Sequence, residues 1–175
     1  MMTNETLEVL KTRRAVRKFL PRQVEREKLD AILEAGSFAP TAIGRQPVKI
    51  IALQDPSAVA AADELNRQVR GGDLRPYYGA PTVILVLVTD DSYTPELDGA
   101  AVCMNMLNAA HSLGLGSCWI HRCGGMFELP EGKELLKKWG FTEHLTGIAS
   151  IALGYTDGEE PAPAPRKEGM ITVIE

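Results

Sequence analysis

The chain has 175 residues, of which 45% are hydrophobic, so it is long enough for one globular domain with its own core. Its formal net charge is −4, and its three cysteines form an odd set. These values argue against a nucleic-acid-binding protein and a disulfide framework, and no apolar tract is long enough to span a membrane. Because the N-terminal residues lack the basic-then-apolar order of a secretory signal, we expect a cytoplasmic protein. The length and composition predict a single domain over residues 1–175.

The first third of the chain predicts two helices and a strand. A short helix begins near Asn4 or Thr3, either of which can cap it, and places Leu7 and Leu10 on one face. The segment 21–40 predicts a second helix with Gly36 as its C-terminal stop. The apolar run 48–53 predicts a buried strand.

The middle of the chain predicts a helix, a loop and a central strand. Residues 57–69 have helical composition, and residues 70–81 are rich in turn formers. The run TVILVLVTD that follows predicts a strand at the centre of a sheet. We expect the loop 70–81 to be mobile and to form the rim of a site through Tyr77 and Tyr78.

The last part of the chain predicts two helices and three extended segments. The helix 95–114 is apolar on nearly all sides, which indicates a domain centre or a subunit interface. The other predicted elements are an extended segment at 113–122, a helix at 130–140, a strand at 144–155, a proline-stiffened arm at 159–169 and an edge strand at 170–174. This order of elements predicts a mixed sheet covered by helices.

Residues 12–19 read TRRAVRKF and gather positive charge in an acidic chain. In either a helix or an extended run, Arg13 and Arg17 project from one side. Paired guanidinium groups can bind a phosphate dianion. A solvated basic patch is the alternative, and charge alone favours it.

Two further segments have the composition of ligand-binding loops. APTAIGRQP (39–47) is small and turn-rich, and Gln46 offers a donor and acceptors to the polar edge of a heteroaromatic ring. GLGSCWIHR (114–122) places apolar residues beside exposed backbone N–H groups. A zinc site at Cys118, His121 and Cys123 is weakly supported, because no second ligand pair exists. His111 and Cys103 are expected to be packing residues.

Taken in order, these segments resemble the FMN-dependent nitroreductase family, in its compact subgroup. The resemblance rests on RRAVRKF, APTAIGRQPVKII, GAPTVILVLVTD, LDGAAVCMNMLNAAHSLGLGSCWIHR and IALGYTDGEEPAPAPRK, which cover nearly the whole chain. It implies an α+β fold, namely a three-layer αβα sandwich with a central mixed or antiparallel sheet, in a homodimer with FMN at the subunit interface. It also implies ping-pong hydride transfer from NAD(P)H through the flavin to a nitro, quinone or similar acceptor.

The resemblance assigns cofactor-binding roles to residues along the chain. It places the FMN phosphate and ribityl chain on Arg13, Arg14, Ala15 and Arg17, and on Arg166 with Lys167 as its neighbour. It places the ring beside Asn66, Gln46, Cys118, Trp119, Ile120, His121 and Arg122, and the partner's loop at Pro40, Thr41 and Ala42.

This chain departs from the family pattern at three positions. Ala15 stands where the family usually has serine, Gly44 where it often has asparagine, and Val48 where it has tryptophan. The departures at Ala15 and Gly44 motivate an alternative, a flavin-binding or sensing protein without turnover. Less favoured alternatives are another flavin-dependent redox reaction, such as dehalogenation or flavin breakdown, and a pure interaction module.

Overall fold

We describe the fold from a computed structural model that covers residues 2–175. The described residues form six α-helices and four strands, at α1 Glu5–Thr12, α2 Arg26–Ser37, β1 Val48–Leu53, α3 Pro56–Arg70, β2 Thr82–Thr89, α4 Pro95–Ser112, β3 Gly116–Ile120, α5 Cys123–Glu128, α6 Pro130–Lys138 and β4 Leu145–Gly154. A short 3₁₀ turn, Ala42–Gly44, precedes β1. No helix among these residues is long and apolar enough to cross a membrane.

The four strands form one antiparallel sheet in the order β1-β2-β4-β3. The central strand β2 alternates its side chains between two cores: Val83 and Leu85 enter one, Ile84 and Val86 the other. Helices α3, α5 and α6 cover the first face, and α2 and α4 cover the second. The expected three-layer α+β sandwich is confirmed, and its sheet is antiparallel.

Most predicted elements are confirmed, with shifts of a few residues at their ends. Asn4 caps α1 by accepting a hydrogen bond from the Leu7 N–H at 2.9 Å. Gly140 follows α6 with φ 90°, as expected of a stop. The strand 48–53 is correct, but its expected burial is wrong, because β1 lies at a sheet edge and is only partly buried.

The prediction that Gly36 ends its helix is wrong. Gly36 lies within α2 and is buried, and a Cβ there would come within 2.6 Å of the Met106 side chain on α4. Its small size therefore serves the close packing of two helices rather than a change of direction.

The predicted edge strand 170–174 is also wrong. These residues form no strand and stand in solvent, with Ile171 86% and Ile174 90% exposed. An alternating apolar segment becomes a strand only when it pairs with another strand, and residues 170–174 pair with none of the four strands in the part of the chain that the structure describes.

The short helix α5 was not predicted as a separate element. It lies on β4 because Gly147 permits a close approach: a Cβ on Gly147 would be 2.5 Å from the Cys123 carbonyl oxygen. This contact between two backbones fixes the position of the chain that leaves β3, which forms part of the site described next.

Candidate functional site

The candidate site lies along the edge strand β3. The chain after α1 is extended, and Ala15 forms a parallel bridge with Ser117, with the Val16 N–H donating to the Ser117 carbonyl at 2.9 Å. Because the bridge is parallel, the chain from Ala15 to Arg17 runs in the same direction as β3. In an extended segment, Arg13 and Arg17 lie on the same side, as the spacing predicts.

Arg13 and Arg17 lie near enough to this strand for both charges to act on it. Burial raises the pKa of the Cys118 thiol on β3, and the positive charges of Arg17 and Arg13 partly oppose that rise. Within residues 2–175, neither guanidinium has a hydrogen bond or an ion pair. Two positive charges without a paired carboxylate attract an anion to this part of the surface.

Arg14 has a different role from its two neighbours. Its Nη1 donates to the carbonyls of Lys11 at 2.8 Å and Arg13 at 2.7 Å, so it caps the end of α1. Its Nε and the Ser117 hydroxyl are buried without a hydrogen-bond partner. A buried polar atom without a partner is unfavourable, and these two atoms lie inside the protein rather than at an open surface.

A cavity of about 250 Å³ lies at the end of β3. It is lined by Arg70, Leu74, Pro76, Tyr78, Trp119, Ile120, His121 and Arg122. Trp119 is half-buried and packs on the α2 and α4 side of the sheet, while Cys118 and Ile120 enter the opposite core. The segment Cys118–Arg122, which is expected to lie beside the flavin ring, therefore begins in β3 and lines the cavity from Trp119 onward.

Positive charge also surrounds this cavity. Arg70 donates from Nη1 to the Gly71 carbonyl at 2.9 Å, and among residues 2–175 neither Arg70 nor Arg122 pairs with a carboxylate. Arg70 was missed by the sequence analysis because it stood at the start of a predicted loop, whereas α3 extends to it. The two glycines that follow it favour a turn and gave no sign that Arg70 faces a cavity.

Of the two tyrosines expected at the rim of the site, Tyr78 is confirmed and Tyr77 is wrong. Tyr78 lines the cavity, but Tyr77 is only 1% exposed and belongs to the core, where its hydroxyl donates to Ser150 Oγ at 3.0 Å. The backbone turns at Tyr78, which has φ 55°, and this turn sends two adjacent tyrosines to opposite environments.

Asn66 is buried on α3, with no exposed surface, and it does not line the cavity. Its amide Nδ2 donates to the His121 carbonyl at 2.9 Å, and its Oδ1 has no partner. The structure thus places Asn66 behind the cavity wall, in contact with the backbone that forms it.

The loop before β1 stands apart from this cavity within one chain. Asp98 accepts a hydrogen bond from the Ala42 N–H at 2.9 Å, and Thr41 Oγ1 accepts one from the Gln46 N–H at 2.9 Å. Burial opposes ionisation of Asp98, but the hydrogen bonds from Ala42, Ser92 and Thr94 outweigh it and lower its pKa. Pro40 and Gln46 are exposed, and Ile43 is 77% exposed with φ 48°.

The C-terminal arm is exposed throughout. Arg166 donates to the Ala164 carbonyl on the same arm, at 2.6 Å from Nη2, and the structure does not bring it into contact with Arg13 or Arg17. The arm begins near the end of α1, where Glu160 lies 3.9 Å from His111 Nδ1 and Thr12 Oγ1 lies 2.9 Å from His111 Nε2. His111 is thus a packing residue at the junction of α1, α4 and the arm.

The fold is thus an antiparallel sheet between two helical layers, with arginines near the edge strand β3 and beside the cavity at its end. A family model described as the nitroreductase family matches residues 10–155. The chain belongs to the nitroreductase family.

Known proteins resemble the chain over nearly its full length. A crystal structure of a nitroreductase with bound FMN from Bacteroides fragilis is 30% identical, with a TM-score of 0.90, and the match covers 99% of this chain and 100% of that one. A nitroreductase with bound FMN from Desulfitobacterium hafniense is 28% identical, with a TM-score of 0.86 and coverage of 99% and 100%. A relative from Methanothermobacter thermautotrophicus, provisionally named NADH dehydrogenase/NAD(P)H nitroreductase, is 29% identical over 161 residues, which are 86% of this chain and 77% of the relative.

Proposed function

We propose that the protein is an FMN-dependent NAD(P)H oxidoreductase that reduces a nitro, quinone or similar acceptor. The observation that carries this proposal is the pair of uncompensated guanidiniums of Arg13 and Arg17 beside β3, on the strand that leads to the cavity. The family membership and the relatives that bind FMN support the same cofactor.

The residues present fit the phosphate of FMN. Arg13 and Arg17 supply charge and paired donors that no carboxylate in the described residues uses. Arg14 holds the end of α1 through its guanidinium and so positions the chain on which both arginines lie. Arg166, with Lys167 beside it, is an exposed cation on a proline-rich arm and completes the phosphate site when the arm closes.

The cavity at the end of β3 fits the ring. FMN, when bound, accepts a hydride from NAD(P)H and passes reducing equivalents to the acceptor. The contribution of the chain is electrostatic: Arg70 and Arg122 place positive charge beside the cavity and stabilise negative charge that develops there. Because the cavity opens at the surface beside Tyr78, flat acceptors can enter in turn.

The functional unit we propose is a homodimer in which Pro40, Thr41, Ala42 and Gln46 of one protomer reach the cavity of its partner. Ile43 at the tip of that loop is both exposed and left-handed, a costly arrangement for a β-branched residue in free solvent. A groove of about 450 Å³ between α1 and α4 contains the buried, unpartnered Oδ1 of Asn108. A second copy would cover the exposed apolar residues Leu7, Leu10, Phe38, Ile43, Leu97, Met104, Met170, Ile171, Val173 and Ile174.

The oligomeric state tests this part of the proposal. We expect light scattering after size exclusion to give the mass of a dimer and Leu10→Glu, in the groove, to shift it toward the monomer. Glu131→Lys, on α6 at the opposite layer, is the control and should leave the dimer intact. A monomeric wild-type protein that binds FMN would exclude the shared site.

Turnover is tested by adding FMN and then NADH or NADPH under anaerobic conditions and following the flavin absorbance. We expect bound flavin to bleach with at least one nicotinamide and to recover its colour on addition of a quinone. Bound flavin that stays oxidised with both would favour the alternative, a non-catalytic flavin-binding or sensing protein. The three cysteines, unpaired and buried, support a reducing compartment such as the cytoplasm.

A further inference from the structure

The cavity wall is held from behind by a buried amide. Asn66 on α3 has no exposed surface, and its Nδ2 lies 2.9 Å from the His121 carbonyl oxygen and 3.3 Å from Met126 Sδ. Met126 also contacts the Tyr77 hydroxyl at 3.5 Å, so the amide sits in a packed network. Buried networks of this kind fix side-chain orientation.

The bond from Asn66 determines the direction of one backbone N–H. Since the peptide between His121 and Arg122 is trans, its carbonyl and its N–H point in opposite directions. The carbonyl points inward to Asn66, and the Arg122 N–H therefore points outward from the wall that lines the cavity. Within residues 2–175, this N–H has no hydrogen-bond partner.

The backbone at Arg122 is strained in a way that needs such a restraint. Arg122 has φ 76° and ψ 11°, a left-handed conformation that is unfavourable for a non-glycine residue. Rotation of the preceding peptide would relieve the strain and reverse the N–H. A hydrogen bond to the His121 carbonyl opposes this rotation.

The choice of residue also indicates a role for the donor. Asn66 leaves its own Oδ1 buried without a partner, which is unfavourable. An apolar residue of the same shape would fill the space without that penalty. The benefit of an amide at this position therefore lies in its Nδ2, and the full burial of Asn66 separates it from direct contact with a ligand in the cavity.

We infer that Asn66 is a positioning residue that holds the His121–Arg122 peptide so that the Arg122 N–H faces the ligand in the cavity. The inference rests on the proposed function for the identity of that ligand. Reduced FMN carries more negative charge than oxidised FMN, and a hydrogen bond to a more negative acceptor is stronger. Asn66 accordingly favours the reduced form over the oxidised form.

The test is the midpoint potential of bound FMN together with the ratio of dissociation constants for its two redox forms. In Asn66→Leu, we expect that ratio to change by about tenfold against the reduced form, a shift of about 30 mV to lower potential. Asn66→Ala, which also lacks the donor and suits a helix, should give the same shift if the leucine variant folds poorly.

Thr82→Val is the matched control. It removes a buried hydroxyl that donates to the Gln23 side-chain oxygen at 2.6 Å, so it lowers stability without a contact to Asn66 or to the His121 carbonyl. We expect its potential to equal that of the wild type. A potential unchanged in both Asn66 variants, or equal losses of affinity for oxidised and reduced FMN, would overturn the inference while leaving FMN binding established. A wild-type protein that binds no FMN would instead refute the proposed function.

Discussion

The double substitution Arg13→Ala, Arg17→Ala tests the phosphate site. Each hydrogen bond to a charged group contributes about 1.5–3 kcal/mol, so two contacts give about 3–6 kcal/mol. Arg17 is exposed and Arg13 half-buried, which places the effect in the lower half of this range, because solvent screens exposed charges. We expect the dissociation constant of FMN to rise by more than about 100-fold, as about 3 kcal/mol requires.

The assay is a titration that follows the fluorescence of FMN, repeated at low and high salt. Arg26→Ala is the control, because that arginine pairs with Asp30 on α2 away from β3. An FMN affinity within about threefold of the wild type, with Arg26→Ala behaving identically, would refute the assignment.

Two further predictions concern stability and pH. Gly147→Ala should destabilise the fold by about 3 kcal/mol in chemical denaturation, because its Cβ would meet the Cys123 carbonyl at 2.5 Å, whereas Gly140→Ala, with open space around it, should cost about 1 kcal/mol; equal losses would contradict this packing. Hydrogen bonds from Tyr155 and then Arg22 lower the pKa of Glu25 to about 2. The ionised carboxyl therefore stabilises the fold at any pH above the ordinary glutamate pKa, and this stabilisation is lost as the pH falls toward 2. Tyr155→Phe should raise the Glu25 pKa in an NMR titration, and an unmoved value would show that the hydroxyl does not set it.

Much of the fold could be predicted because its signals are local. The apolar run of β2 and the periodicity of α4 each predict their own secondary structure. The antiparallel pairing of the strands depends in addition on which strands become neighbours in the folded chain. The prediction that Gly36 ends its helix failed because the sequence does not distinguish a glycine needed for close helix packing from a glycine that ends a helix. The prediction of a strand at 170–174 failed because alternating apolar residues are typical of a strand but do not show whether a partner strand lies beside them.

The site was partly predictable for the same reason. Arg13 and Arg17 each lie two positions from Ala15, and extended structure places both on one side of the chain whatever the rest of the fold does. Arg70 and Trp119 meet at one cavity through tertiary packing alone, so no local pattern could reveal that pair. The inward position of Asn66 likewise depends on how α3 packs against the chain after β3.

Comparison of FMN with riboflavin, which lacks the phosphate, is the most direct measurement of the role of the arginine pair. We expect wild-type protein to bind FMN about 100-fold more tightly than riboflavin, and we expect this difference to collapse in the Arg13→Ala, Arg17→Ala variant while riboflavin affinity changes little. Equal affinities of the wild type for the two flavins would contradict a phosphate held by Arg13 and Arg17.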